Sequence, residues 1–544
     1  MAFYRGNINA PPLINYVYYK FNSNAFKLHL SRRQLSTKHN QLSFKRMKNA
    51  SPSQEKNTTI SNLSSYIERR KLEAQRSIIV QVATWKSCKD LLSYCCQFGD
   101  ITSVFYYSLP KEHQFILLEY KQLAATKTAL DAATYTGRDN IIPSRTNVMW
   151  FRKVAEKTSP ILKQYSLPSI SCTNYGVLGE AVIRNMLENA PSISSQMTIL
   201  YNEYKIDELE IRLKFQVITN IEQYFSGIFP SIIVHPFGSF INGFGKKFSD
   251  LDIVLFADGL KKEKLSSKLV FHTKPTNINE KQQTYEFMGV LADTMRYMIP
   301  GISHVRRIFN ARVPIIKFNN IFTYTECDLS MSNVIATYMT ELLYLYGEID
   351  DRVRPLVFTI RKWAHDNKLT NLNPGKTITN FSLTLLVIFY LQRQQILPVI
   401  NNMKGFAEVR ESVDNMDKIY SHSIYSMRQK QDNCEQLSSL LLHFFEFYST
   451  FDFNEKEICL REGCTFPKTD NSALFIHNPF QKGLNVSKNV STIEVGRLQF
   501  SMIRAISSLE STNSTKSKNW GILSIFDCQN SQNKVFQKVT LMIH

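Results

Sequence analysis

The sequence predicts an α+β protein in which a mixed β-sheet domain stands between a small βαββαβ unit and a helical half. Three observations carry that prediction. Between residues 231 and 256, apolar side chains recur with the period of two that a strand requires, interrupted by a Gly-Ser turn. From 335 to 395 they recur at spacings of three and four, the period of helices packed on a core. Between 78 and 151, short apolar strands and two helical stretches follow one another in the order strand, helix, strand, strand, helix, strand.

A chain of 544 residues with 43% hydrophobic and 12% aromatic content is expected to form several well-filled domains. Its best apolar run, 381–391, is about half the roughly 20 residues of a membrane span, so no span is expected. Nine cysteines without CxxC pairs argue against a zinc site or a disulfide framework and read as reduced thiols. The net charge of +19 is unevenly placed: residues 1–54 carry nine Lys/Arg and no Asp or Glu, which leaves +10 for the rest. That remainder is compatible with RNA binding but does not require it. An acid-free start with apolar and aromatic residues between Arg5, Lys20, Lys27, Arg32 and Arg33 has the composition of a mitochondrial transit peptide over 1–45, which predicts the mitochondrial matrix. Arg33, two residues before Leu35, provides a matrix-protease cleavage context. A basic arm that binds nucleic acid directly is the alternative. The sequons at Asn485 and Asn489 should stay unmodified without a secretory signal.

Residues 46–75 read as a polar linker with a short helix near its end. Over 76–155, strands are expected at 78–82, 102–109, 114–120 and 147–151 and helices at 88–98 and 124–133, an order that resembles an RNA-recognition motif. Its stacking positions are poor, because the first strand has no aromatic and the third keeps Phe115 but has Leu117 where a second ring is usual. The unit is therefore read first as a protein contact. The sheet domain, 176–335, opens with a helix-rich stretch at 185–229, continues into a strand at 231–235, and closes with an antiparallel pair at 313–318 and 324–331. The Lys-rich stretch 261–283 reads as an exposed arm. Helices at 335–346, 353–367 and 379–395 begin a helical domain over 336–530, in which 400–435 is polar and loop-rich.

The chemistry concentrates in residues 235–256, HPFGSFINGFGKKFSDLDIVLF. Alternation along a strand puts Asp250 and Asp252 on one side and Leu251, Ile253 and Leu255 on the other. Two carboxylates so close repel unless a cation lies between them, so the motif asks for a divalent metal. Asp328, between Cys327 and Leu329 in a buried-looking strand, is a candidate third carboxylate. Three carboxylates around two metal ions suit in-line phosphoryl or nucleotidyl transfer. The Gly238-Ser239 turn offers backbone N–H groups and a hydroxyl to phosphates. Asp-Leu-Asp alone is equally well a solvated strand start; its combination with Gly238, Ser239 and Asp328 carries the reading.

The pattern G-S-x(10)-D-x-D with a distal Asp resembles the signature of the DNA-polymerase-β-like nucleotidyltransferases. Residues 474–491, LFIHNPFQKGLNVSKNVS, resemble the nucleotide-recognition motif of the non-templated poly(A) and poly(U) polymerases. RPLVFTIRKWA at 354–364 and PGKTITNFSLTLLVIFYLQ at 374–392 look like the mitochondrial poly(A) branch of that family. The resemblance covers most of 75–530. It implies that the sheet domain is a nucleotidyltransferase palm and the helical half its central domain. It further implies that Asp250 and Asp252 bind both catalytic ions, Mg²⁺ or Mn²⁺, that Asp328 binds the ion activating an RNA 3′ hydroxyl, and that Gly238 and Ser239 hold the triphosphate. Arg361 and His365 would reach the phosphates, His365 standing where lysine is common in cytoplasmic relatives. Phe381 would stack on the base, although a core ring is its other reading, and Asn380 and Thr340 would lie near the ribose and phosphates. In the recognition motif Asn478, Gln481 and Asn485 are candidate amide readers, Asn478 replacing a frequent aspartate. Uridine-specific relatives carry a histidine where this chain has Leu484, so ATP is favoured. The implied activity is template-independent polyadenylation of mitochondrial RNA 3′ ends. A terminal uridylyltransferase and an RNA-binding protein with an inactive transferase domain are the alternatives. Related enzymes dimerise, so a homodimer is expected, with the recognition-motif-like unit and the 261–283 arm as candidate contacts.

Overall fold

Helix α1 (Leu63–Gln75) opens the part of the chain that the computed structural model describes, namely residues 63–109, 113–133, 148–151, 170–172, 179–229, 232–256, 279–403, 433–512 and 519–526. The transit-like start, the linker up to residue 62, residues 261–278 of the arm and residues 404–432 lie outside the described residues. Leu63, Ile67 and Ala74 are buried at helical spacing, so the end of the expected linker is a docked helix. Its Lys71 donates to Glu222 at 2.9 Å and to the Val234 carbonyl at 2.7 Å, tying it to the sheet domain.

The βαββαβ unit follows in the expected order: β1 (Ser77–Val82), α2 (Ser87–Cys95), β2 (Ile101–Ser108), β3 (Gln114–Tyr120), α3 (Leu123–Asp131) and β4 (Val148–Trp150). A strand beyond the expected boundary, β5 (Ile170–Cys172), pairs in parallel with β2 and extends the sheet to β4-β1-β3-β2-β5. Alternation sends Ile78, Val80, Ile116 and Leu118 toward α2 and α3, and Ile79, Tyr107, Phe115 and Leu117 to the opposite face. That opposite face packs on Leu209, Leu213 and Phe322, and the Tyr107 hydroxyl donates to the Phe322 carbonyl at 3.1 Å. The face on which bases would stack is thus an internal protein contact.

The helix-rich stretch forms α4 (Glu180–Glu188), α5 (Ile193–Tyr204) and α6 (Glu208–Ile228). Ser192 and Asp207 start the latter two by accepting the N–H groups of Ser195 and Glu210. The palm sheet then assembles from β6 (Ile233–Phe237), β7 (Leu251–Phe256), β8 (Ile302–Ile308), β9 (Ile315–Asn320) and β10 (Thr325–Met331), with the short α7 (Ser239–Asn242) and the long α8 (Glu280–Met298) between strands. Its order is β6-β7-β10-β9-β8, with β7 and β10 parallel and the other neighbours antiparallel. The β9 and β10 pair lies where the sequence predicts it. Helix α8 and strand β8 are additions: α8 starts inside the segment read as an arm, where a polar first turn continues the Lys-rich stretch, and it buries Met288, Leu291, Ala292 and Met295.

Helices α9 (Val334–Ile349), α10 (Val353–Asp366) and α11 (Asn380–Arg393) sit where the spacing predicts them. Eleven consecutive side chains of α11, Ser382 to Gln392, are buried, so its apolar run belongs to the core. Helix α12 (Leu437–Ser449), the hairpin β11 (Lys456–Cys459) and β12 (Cys464–Pro467), and helices α13 (Thr492–Thr512) and α14 (Ile522–Phe526) complete the helical half. No helix among the described residues is long and apolar enough to cross a membrane.

Candidate active site

The turn after β6 is dictated by glycine. Gly238 has φ +78, in the left-handed half of backbone space, and any side chain there would collide with the Asp252 carboxylate. Its N–H donates to Thr340 Oγ1 at 2.9 Å, while the Thr340 hydroxyl donates to the Ala336 carbonyl at 2.7 Å. The amide expected to be free for phosphate is therefore engaged, and Thr340, expected beside the nucleotide, holds the turn in place. Ser239 follows as the first residue of α7 and lines the cavity.

Asp250 immediately precedes β7 and Asp252 is its second residue. On the parallel neighbour β10, Asp328 is the register partner of Asp252, and on β9 Lys317 is the register partner of Asp328. The sheet thus sets Asp252, Asp328 and Lys317 in a row. Lys317 Nζ lies 3.3 Å from Asp328, 3.4 Å from Glu326 and 3.5 Å from Asp250. Burial, reinforced by Asp328 and Asp250, pushes the Asp252 carboxyl up to about 7, and burial also raises Asp328 against the pull of Lys317. Lys317 is raised in turn: burial works against its charge, but Asp328 and Asp250 outweigh it. Asp328 Oδ1 is buried and makes no hydrogen bond, its approach to Lys317 being an ion pair without hydrogen-bond alignment. Among the described residues the carboxylates do not already converge into a set enclosing an ion. Hard oxygen donors, two of them with a raised affinity for protons and one already drawing the Lys317 cation, nevertheless fit Mg²⁺ or Mn²⁺.

A cavity of about 870 Å³ opens between the palm and the helical half. Gly238, Ser239 and Asp252 line its palm side; Thr340, Arg361, His365, Asn380 and Phe381 line the helical side; Asn478 and Leu484 reach it from the recognition segment. The Arg361 guanidinium donates to the Phe244 carbonyl at 2.7 Å, to Thr384 Oγ1 at 2.5 and 3.0 Å, and to the Asn380 carbonyl at 3.3 Å. No carboxylate pairs with it among the described residues, and burial lowers its pKa to about 10, still charged at neutral pH. A hemmed-in cation without a counter-charge, facing a cavity, asks for an anion. His365 is exposed and sits 3.0 Å from Asp366, which also takes Lys362 at 2.8 Å. Lys362 lines the cavity beside His365, although the resemblance points to His365. Phe381 is half-buried, presenting one part to the core and another to the cavity.

The recognition segment corrects one expectation. Asn485 is buried, its Oδ1 accepts the N–H groups of Ile476 and Ser487, and its Nδ2 donates to Ser472 Oγ and the Leu474 carbonyl. That amide is saturated by its own segment, does not line the cavity, and holds the motif's shape. Asn478 Oδ1 caps the N–H groups of Phe480 and Gln481, and its N–H donates to the Leu484 carbonyl at 2.8 Å. Lys246 and Arg312 also line the cavity, and Arg312 donates to Gln481 Oε1 at 2.7 Å across it. Both stand in loops, where no periodic signal marks a residue for a site.

The family model for the central palm domain of mitochondrial-like poly(A) RNA polymerases matches residues 193–348, and that of the Cid1 family poly A polymerases matches residues 436–487. Fold and site together define a nucleotidyltransferase of the poly(A) polymerase class. The chain is 40% identical over 465 residues to the mitochondrial poly(A) RNA polymerase of Drosophila melanogaster, spanning 83% of this chain and 76% of that protein. Its identity to the Homo sapiens protein of the same name is 31% over 484 residues, spanning 87% and 82%. A crystal structure of mtPAP in complex with ATPγS superposes with a TM-score of 0.75 at 29% identity, over 86% of this chain and 99% of that one. The chain belongs to the mitochondrial poly(A) RNA polymerase family.

Proposed function

We propose that the cleft adds AMP from ATP to RNA 3′ ends by a template-independent, two-metal-ion reaction. The observation that carries this reading is the register of Asp252 with Asp328 beside a cavity whose far wall holds the Arg361 guanidinium, which has no carboxylate partner among the described residues. Asp250, Asp252 and Asp328 would hold the two Mg²⁺ or Mn²⁺ ions, which when bound would supply charge to favour ionisation of the 3′ hydroxyl and departure of pyrophosphate. The chain's own groups do the positioning. Arg361 offers a fixed charge to the phosphates, Ser239 a hydroxyl, and Phe381 a face for the base. The RNA 3′ oxygen attacks the α-phosphate as its proton passes to solvent, the bond to pyrophosphate breaks, and no covalent enzyme intermediate forms. Leu484 presents no donor to a uracil carbonyl, which supports ATP over UTP.

The acid-free basic start and the names of the relatives support a mitochondrial location, in the matrix. The working form in this reading is a homodimer, for which a monomeric mass by light scattering would be the contrary result. The activity is tested by supplying purified protein with an oligo(A) primer, Mg²⁺ and each NTP separately. Extension with ATP is the expected outcome; no extension, or a clear preference for UTP, would sink the reading.

A further inference from the structure

Behind the carboxylates, on α6, lies an ion pair sealed from solvent. Lys214 and Glu210 stand one turn apart with Nζ 2.9 Å from Oε1, and their side chains are 1% and 3% exposed. A buried pair of this kind is no gain in stability over apolar side chains of similar size, so its presence asks for another reason. Its remaining partners supply one. Lys214 Nζ donates to the Ser249 carbonyl at 2.6 Å and approaches the Ser249 hydroxyl at 3.3 Å, while Glu210 Oε1 accepts the Phe248 N–H at 3.0 Å. Phe248 has φ +60, a left-handed conformation that a bulky side chain adopts only when its surroundings enforce it. The two residues so gripped directly precede Asp250. The residue before them is fixed independently, by the Lys247 N–H donating to the Tyr204 carbonyl at 2.8 Å.

We infer that the pair of Glu210 and Lys214 is a positioning device: it fixes the strained backbone of Phe248 and Ser249, and through it the placement of Asp250 and of Asp252, which lines the cleft. The inference rests on the reading of those carboxylates as the reacting site. Neither residue touches substrate; both hold the loop, and the Lys214 charge also acts directly on Asp252, against its raised affinity for a proton.

The test compares wild type with Lys214→Arg, Lys214→Met and the double variant Lys214→Met/Glu210→Leu. Lys214→Met leaves Glu210 buried and unpaired and is expected to melt lower, whereas the double variant removes both charges and is expected to fold. In the double variant, kcat for AMP addition to oligo(A) should fall about 100-fold, the scale of an ångström-sized misplacement, with KM for ATP within about threefold of wild type. Amide hydrogen exchange over residues 246–250 should accelerate in the same protein. Lys214→Arg should restore both turnover and protection. The inference is overturned by a double variant that is folded with wild-type kcat and an unchanged exchange pattern, by a KM increase that accounts for the loss, or by absence of a cooperative melting transition, which would make the pair a determinant of the fold. Failure of the underlying site reading looks different: Asp250→Ala would then extend the primer normally, and the exchange arm would still report whether the pair holds the loop.

Discussion

The two five-stranded sheets of this chain use the same strand alternation for opposite purposes. On the recognition-motif-like sheet, the face turned toward the palm carries Ile79, Tyr107, Phe115 and Leu117, and the charges at its rim are matched: Glu119 takes Arg76 at 2.9 Å and Arg212 at 2.6 Å. On the palm sheet, the row Asp252, Asp328 and Lys317 leaves a buried carboxylate oxygen without a hydrogen bond and an aspartate pushed up to about 7. The docking face gives its buried carboxylate two arginine partners inside the protein, although Arg76 Nε stays buried without one, whereas the palm face crowds three carboxylates around a single lysine. The contrast predicts that mutations on the first sheet act on stability and mutations on the second act on turnover.

The largest effect is expected at Asp252. Asp252→Asn should lower kcat at least about 1000-fold, since metal-assisted charge stabilisation is worth several kcal/mol and each 1.4 kcal/mol is about tenfold. The same variant should be the more stable protein near neutral pH when metal is withheld. In wild type the folded carboxyl holds its proton up to about 7 while the unfolded one releases it near 3.8, so the stability this group contributes is complete below that lower value and is lost as pH rises to about 7. Thermal midpoints measured from pH 4 to 7 in chelator should fall for wild type relative to Asp252→Asn. Parallel curves would mean that Asp252 is partnered like the carboxylate of the docking face.

Gly238→Ala comes next, with a loss of about 100-fold in kcat. The added methyl meets the Asp252 carboxylate and φ +78 penalises any side chain, so destabilisation of about 1–3 kcal/mol should accompany the loss. Restored activity with a destabilised fold would separate the two causes.

How much of this was legible beforehand follows the same division. Asp250, Asp252, Asp328 and the glycine turn could be read because strand alternation and fixed spacing constrain them, and α9, α10 and α11 because a helix of period 3.6 repeats its pattern over several turns. Gly238 and Thr340 both line the cavity, but the hydrogen bond between them is not legible in the sequence: which partner an N–H finds depends on a helix 102 residues away. Asn485 looks like a base reader for the same reason, since nothing local says that its amide closes on Ser472, Leu474, Ile476 and Ser487. Lys317, Lys246 and Arg312 give no signal in the sequence, because a cation takes its role from the strand or loop it faces and single charges carry no period.

A smaller effect should sharpen the reacting face. Leu484→His adds a donor at the cavity wall and should raise the ratio of UTP to ATP incorporation by about tenfold, read as kcat/KM for each nucleotide. No change in the ratio would place base recognition on Asn478 and Gln481 instead.

The smallest effect on turnover is expected on the docking face. Glu119→Gln removes the charge that two arginines share in a site where the carboxylate is 7% and Arg212 13% exposed, so a loss of about 2 kcal/mol in stability is expected. Tyr107→Ala, which empties a fully buried ring site and breaks the bond to the Phe322 carbonyl, should cost about 3 kcal/mol. Both should keep kcat per folded molecule and KM for the RNA primer within about twofold, because this face meets protein and not RNA. A rise in primer KM of about tenfold without a change in thermal midpoint would reverse the assignment of the two sheets: the first would then be a nucleic-acid surface that opens away from α6 in use.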